Sequence, residues 1–506
     1  MSFGSIRRAF GSLSRSSRAS LASSFTPSTT GTTTPDSASI MTTATSVNTS
    51  GSITLRGTGE FEEVSFDTTK EMLVMASLKA PVFEQNPEDK RAPIDVCCVI
   101  DRSGSMAGDK LNLAKKAMLF VLDNLDTDDS LSVVLYDTSV DTLFNFMKMD
   151  KKGKAKAKEA IEKVATADCT NLCGGLIRGL ELVNSRSSPS DISSVLLFTD
   201  GLANEGLTAT PEITAAMEKK LAETDKKPSV FSFGFGSDHN EQMLRAIAEA
   251  GGGMYYYVAD TDNIPVSFAD CLGGLQSVVA QKLSLQIEGA KDVKVLKSLN
   301  AKYRVSRGTL PGSYISVELG DLYSEEERDV IFLIELPKLE EANEDEAECV
   351  SFSVGFFNVL SGKEEGISSP VKVRRPAKVT KEQKSNETLD KQRNRLTAAE
   401  AMQNSRALAD KGDMSGAQKV IRESKSVIEQ SSSSRDTYCQ NLMQELDECV
   451  TDMSSRDHYM SKGSKVISRK EQAHYYQRSN KLEDAEISFY ETSSKKASKT
   501  KAKGFF

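Results

Sequence analysis

The sequence has no CxxC pair and no cluster of histidines; its eight cysteines are scattered at 97, 98, 169, 173, 271, 349, 439 and 449. That scatter excludes a zinc ribbon and a disulfide framework, and reduced thiols in an intracellular protein are the plainer reading. No run approaches the roughly 20 apolar residues that a membrane-spanning helix needs, so a soluble protein without a membrane span is expected. A general nucleic-acid binder is argued against by the net charge of -8 and the pI near 5.4. Neutralising phosphates takes a clustered cationic face. No GxxxxGK[ST] loop occurs to cradle a nucleotide's phosphates.

What is present points to two or three domains, because 506 residues exceed one ordinary core and an apolar fraction of 38% supports real cores. Residues 1–55 form a Ser/Thr-rich tail with Arg7, Arg8, Arg15 and Arg18, no acid through Pro35 and no apolar period. Such a segment is expected to be disordered. Its Arg- and Ser-rich composition also matches an organelle transit peptide, so the expected location is cytoplasmic, with organelle targeting as the alternative. At the other end, 481–506 carries Lys495, Lys496, Lys499, Lys501 and Lys503 and reads as a disordered Lys-rich tail.

Between the tails the hydrophobic period changes three times. Over 56–92, runs such as MLVMASLKAP read as strands too few to form a stable sheet alone, so they are expected to pair with a later β domain. Over 93–280, apolar strand runs (IDVCCVI, LSVVLYD, SVLLFTD, SVFSFGFG) alternate with segments of helical spacing such as KAKAKEAIEKV and GGLIRGLELV. That alternation predicts an α/β fold, a doubly wound parallel sheet covered on both faces. A small β domain follows over 281–376, and 377–480 is a C-terminal helical region. In the latter, Ala417, Val420, Ile421, Ser424, Val427 and Ile428 share one face, as do Tyr438, Leu442, Cys449, Val450 and Met453. The DKGD at 410–413 supplies a Gly stop and an Asp N-cap between two of these helices.

The chemistry concentrates at strand ends. DRSGS follows the first central strand and places Asp101, Ser103 and Ser105 on one tight turn; Thr170 precedes a helix, and Asp200 ends another strand in TDG. Ligands of open α/β sheets bind at the carboxyl ends of the strands, so these oxygens are expected in one crevice. Two carboxylates and three hydroxyls suit octahedral magnesium that keeps some waters, with Ca2+ or Mn2+ as alternatives, and do not suit zinc. Singly, Asp101 and Asp200 read as turn residues and the serines as helix caps; the five together carry the metal reading.

D-x-S-x-S with the distant Thr and the Asp of a TDG turn resembles the metal-ion-dependent adhesion site (MIDAS) of von Willebrand factor type A (VWA) domains, and all five positions match. The resemblance implies that the three hydroxyls contact the cation, that the two aspartates hold it mostly through water, and that a partner's Glu or Asp completes the sphere. RAPIDVCCVIDRSGSMAGDKL, FGFGSDHN, CLGGLQSVVAQ and GDLYSEEERDVIFLIELP resemble an intracellular eukaryotic group typified by plant proteins that join a VWA domain to a RING finger. QRNRLTAAEAM and LADKGDMSGAQKVI look like the helical domain found behind such modules. The likeness covers roughly residues 57 to 460. No RING pattern of Cys and His occurs in these 506 residues, so ligase activity is not carried over.

Other residues take plainer roles. Cys169 and Cys173 read as small apolar residues, and His239, His458 and His474 are assigned no catalytic role. Asp137 is a turn residue first and an outer-shell candidate second. The acidic stretch 339–348 reads as a solvated loop, because it lacks EF-hand spacing. The expected function is a non-catalytic scaffold or interaction protein. A magnesium-dependent phosphohydrolase of the haloacid dehalogenase type is the enzymatic rival, but its second acid falls where Ser103 stands. An adaptor in ubiquitin transfer is a third reading, resting on analogy.

Overall fold

The structure, a computed structural model, describes residues 52–82, 91–224, 227–260, 262–308, 314–379, 383–480 and 489–503. The Ser/Thr tail and its transit-peptide alternative lie, up to residue 51, outside the described residues. Two antiparallel strands come first, β1 (Thr54–Gly59) and β2 (Lys70–Lys79).

An α/β segment follows: β3 (Ile94–Asp101), α1 (Asp109–Asn124), β4 (Ser130–Tyr136), β5 (Val140–Lys148), α2 (Lys151–Glu162), α3 (Leu172–Asn184), β6 (Ile192–Thr199), α4 (Thr210–Leu221), β7 (Ser229–Phe235), α5 (Glu241–Ala250), β8 (Gly252–Val258) and α6 (Asn263–Leu275). Its sheet has the order β5-β4-β3-β6-β7-β8, parallel except for β5, which pairs antiparallel at one edge. Every residue of β3 is buried because both faces are covered. Val96, Cys98 and Ile100 join a core with Ala114, Met118 and Phe268, whereas Cys97 and Val99 join another with Leu176, Leu180 and Ile247. This is the doubly wound arrangement, and it explains why IDVCCVI is an unbroken apolar run. The sequence reading passed over β5 and β8. β5 is an edge strand of half-exposed residues, which weakens its alternation.

The chain then forms β9 (Val278–Gly289), β10 (Lys294–Ser298), β11 (Arg304–Arg307), β12 (Tyr314–Tyr323), β13 (Glu327–Leu336), β14 (Asn343–Asn358) and β15 (Lys363–Arg375). Two antiparallel sheets result, β1-β2-β13-β10 and β11-β12-β9-β14-β15. They share one core in which Val74, Leu78 and Phe332 meet Leu285, Val317 and Phe352. β2 pairs with β13 from Lys70↔Leu336 to Lys79↔Glu327, so the whole α/β segment lies in sequence between two neighbouring strands of one sheet. The acidic stretch is not a loop throughout: from Asn343 it is the start of β14, with Glu346 opposite Arg374 and Glu348 opposite Lys372. Opposite charges across the ladder hold it in the sheet.

Helices α7 (Glu387–Ala409), α8 (Met414–Glu429), α9 (Thr437–Asp452) and α10 (Ser464–Tyr476) complete the described chain with α11 (Ser493–Lys503). The DKGD turn acts through Gly412 at φ +88° and through the Asp413 side chain, which accepts the Gly416 N–H at 2.8 Å. Leu389 and Leu396 of α7 pack on Leu73, Met75 and Ile331, covering the outer face of β2 and β13. Ala417, Ile421 and Ile428 are buried as the helical spacing predicts, but Val427 is 46% exposed. The Lys-rich end reads as disordered by composition, yet α11 lies within it. Lys495 and Lys499 each place an ammonium 2.8 Å from one oxygen of the buried Asp270 on α6. That pairing fixes the segment and depends on a residue more than 200 positions away, which local composition cannot register. Residues 481–488 and 504–506 lie outside the described residues. Among the described residues no helix is long and apolar enough to cross a membrane.

Candidate metal centre

The parallel sheet ends its central strands at one edge, and three loops meet there. Asp101 is the last residue of β3 and Asp200 directly follows β6, its neighbour in the sheet. Thr170 precedes α3 in the loop beyond β5 and α2. The loops are tied by backbone hydrogen bonds. Gly104 N–H donates to Asp168 O at 2.9 Å, Ala167 N–H to Arg102 O at 2.7 Å, and Asn204 and Glu205 N–H both to Thr170 O at 3.2 Å. The Thr170 N–H in turn donates to Asn204 Oδ1 at 2.8 Å. The structure therefore brings all five sequence-predicted donors to one sheet edge. Asp101, Ser103, Thr170 and Asp200 are buried, and Ser105 is exposed at the mouth.

The hydroxyls are not spent on capping. Ser103 makes no side-chain cap bond to the turn Gly104–Met106, and α1 is preceded by Gly108 instead. Ser103 Oγ and Ser105 Oγ stand 3.1 Å apart. Asn171, not Thr170, caps α3 by accepting the Gly174 N–H at 2.9 Å.

The two carboxylates differ in compensation, and Asp101 is left without a cation among the described residues. Asp101 Oδ1 accepts the Ser103 N–H at 2.9 Å and Oδ2 accepts the Thr199 hydroxyl at 2.6 Å, both neutral donors. Burial pushes its carboxyl up to about 6 against the pull of those hydrogen bonds, and the charge of nearby Asp200 adds to the rise. Lys110 is the cation that reaches Asp200, at 3.1 Å. The Tyr136 hydroxyl, buried beside Asp101 and Thr199, forms no well-made hydrogen bond. A hard cation with its waters fits this set. Hydroxyl and carboxylate oxygens are its preferred donors, the charge deficit is of the right sign, and an orphaned buried hydroxyl suits a bound water. Among the described residues no group of three or more His, Cys, Asp and Glu side chains is placed to hold a metal ion, so a cation here would rest on the hydroxyls as well as the two carboxylates.

Asp137 ends in its own turn, accepting the Ser139 N–H at 2.7 Å and pairing with Arg102. Burial raises its carboxyl, but Ser139 and Arg102 outweigh that and hold it below the ordinary range. His239 is a buried core histidine, Nδ1 at 2.6 Å from Gly236 O and Nε2 against the Tyr255 hydroxyl; burial lowers it to about 4. Cys173 is buried and Cys169 half-buried. Sequence reasoning missed Thr199, Tyr136 and Lys110. Thr199 adjoins Asp200 in the TDG turn and Lys110 closes the quoted GDK, but neither shows from sequence which way it reaches.

The family model of the von Willebrand factor type A domain matches residues 95–270, and one described as CPSF6-like, RSLD domain, N-terminal region matches 385–484. The chain is similar to an uncharacterized protein of Synechocystis sp., 27% identical over 266 residues, 51% of this chain and 61% of that protein. It is also similar to the E3 ubiquitin-protein ligase WAV3 of Arabidopsis thaliana, 27% identical over 360 residues, 68% of this chain and 43% of that protein. It thus spans less than two thirds of either relative's length. Among solved structures, a von Willebrand factor type A protein from Catenulispora acidiphila aligns with TM-score 0.59 at 15% identity, over 83% of this chain and 98% of that one. The ArnB paralog VWA2 from Sulfolobus acidocaldarius aligns with TM-score 0.52 at 15% identity, over 81% and 99%. At such identity these two likenesses speak to fold alone.

Proposed function

We propose, on the premise that residues 95–270 of this chain are a von Willebrand factor type A domain, that it is a non-catalytic protein-binding scaffold whose grip on a partner depends on a divalent cation. The observation that carries this reading is the gathering at one sheet edge of three hydroxyls free of capping duty and two buried carboxylates, of which Asp101 has no cationic partner among the described residues and Asp200 has Lys110. Ser103, Ser105 and Thr170 would hold magnesium directly, and Asp101 and Asp200 mostly through water. The bound cation would supply a Lewis-acidic position for a carboxylate from outside. Ser105 at the exposed mouth marks the side from which a partner's Glu or Asp arrives.

The role of each group follows from its surroundings. Thr199 and the Ser103 amide fix the Asp101 carboxylate, so its orientation is set before any ligand arrives. Asn204 and the backbone of residue 170 lock the Thr170 loop to the Asp200 loop, fixing the spacing between a hydroxyl and a carboxylate donor. The test is calorimetric titration of the full chain with magnesium and manganese, beside affinity capture of partners in magnesium and their release by EDTA. Cation binding that Asp101→Ala loses, with partners released by EDTA, is the expected result. Partner binding indifferent to EDTA overturns the reading.

An adaptor role in ubiquitin transfer is favoured by the likeness to the Arabidopsis ligase over 68% of this chain. The chain would then present a captured protein to a separate ligase. Ubiquitin conjugates among the EDTA-released partners would select this version. Turnover of a generic phosphate ester with magnesium would favour the phosphohydrolase instead. Ser103 in place of a second acid predicts none.

A further inference from the structure

We propose that Lys110 is a built-in counter-cation of this centre, competing with the divalent ion for Asp200 and so setting the concentration at which the ion enters; this rests on reading Asp200 as a ligand. Lys110 Nζ lies 3.1 Å from Asp200 Oδ2 and 2.9 Å from the Asp238 carboxylate. Its side chain is 18% exposed and bridges a fully buried carboxylate to one that is 63% exposed.

The placement serves the ion pair rather than the helix. Lys110 stands in the first turn of α1, where the helix dipole disfavours a cation. The stem has a prepared path. Gly236 sits at φ +79°, and a Cβ there would come within 2.7 Å of Lys110 Cε, so a side chain at 236 would push the lysine away.

An ammonium resting on Asp200 and a divalent ion held by the same carboxylate, even through a water, repel one another, and in a buried site that repulsion is screened little. The ammonium therefore opposes the ion's approach, and Asp238 offers it a second place. Asp238, on the solvent side, holds Lys110 as it gives up Asp200; without Asp238 the ammonium stays wholly on Asp200. The competition predicts opposite signs for removing the lysine and for removing Asp238, its second partner.

Lys110→Met, which keeps the stem and deletes the charge, is expected to tighten magnesium and manganese binding about tenfold. Asp238→Asn is expected to weaken it by about threefold, and in the Lys110→Met background to change nothing. The measurement is calorimetric titration of the full chain with each metal alone, with thermal unfolding in EDTA to check that every variant folds. Unchanged or weaker binding in Lys110→Met overturns the proposal, as does an Asp238→Asn effect of equal size in both backgrounds, which would be plain long-range electrostatics. A parent chain that binds neither metal overturns this and the proposed function together, whereas a parent that binds them but ignores Lys110→Met overturns only the competition.

Discussion

The sheet edge at Asp101 and the seam where α5, α7 and α10 meet both bury carboxylates, but they compensate them differently. In the seam, Glu471 is fully buried and meets Arg406 at 2.7 Å, Arg245 at 2.8 Å and Lys302 at 3.4 Å, while Arg406 also reaches Glu241 at 2.8 Å. Burial raises the Glu471 carboxyl, but Arg245, Arg406 and Lys302 outweigh it and hold the group below its ordinary range. At the edge, Asp101 makes no ion pair among the described residues, and its carboxyl is pushed up to about 6. A buried carboxylate saturated with cations is structural. One left short of them, beside idle hydroxyls, is open to a cation from outside.

The largest test of this contrast is in the seam. Arg406→Met strips Glu241 and Glu471 of a shared buried partner and is expected to cost about 3–5 kcal/mol of unfolding free energy, read by urea denaturation. A loss below about 1 kcal/mol, the level of an exposed pair, would erase the distinction. Asp101→Ala should do the reverse. Divalent affinity is expected to fall on the order of 100-fold by calorimetry, while stability in EDTA stays within about 1 kcal/mol of the parent, since no ion pair is lost.

The deficit at Asp101 also has a pH signature with a definite sign. The folded chain keeps the Asp101 proton up to about pH 6, whereas the unfolded chain releases it near the ordinary value of 3.8. In EDTA, stability of the parent relative to Asp101→Asn should therefore fall as pH rises from about 4 to about 6 and level off above. A difference that stays flat across that window would mean the carboxylate is compensated after all. A smaller effect than that of Asp101→Ala is expected one residue from Asp200. Thr199→Val removes the hydroxyl that orients Asp101 and should weaken cation binding by about tenfold, with partner capture weakened in step.

The sheet and the gathering of Asp101, Ser103, Ser105 and Asp200 at its edge were legible because these residues sit in short motifs at the ends of apolar runs, where period and chemistry coincide, while Thr170 stands just before a helix instead. IDVCCVI followed by DRSGS signals both a two-faced strand and the loop after it. The seam and the C-terminal helix were not legible, for a reason shared by both. Glu471, Arg406 and Lys302 come from distant segments, and α11 is fixed by Asp270, so nothing near either in sequence marks them as paired. The acidic start of β14 failed likewise, because its neutralising Arg374 and Lys372 lie on the facing strand. Charge reads as solvated until its partner is known.

Consider last the pairing of β2 with β13 in the order in which a ribosome makes them. Ser77 donates to Asp329 at 2.5 Å across 252 residues of chain. At about 5–20 residues per second, β2 emerges roughly ten to fifty seconds before its partner exists. In that interval it has β1 alone, and a two-stranded hairpin is marginal. The α/β segment can bury its own cores meanwhile, so it is expected to fold first, with sandwich closure the late, slow step that such long-range contacts impose. Until then MLVMA is an apolar strand with one edge open, and this stretch is where a nascent chain is most exposed to aggregation.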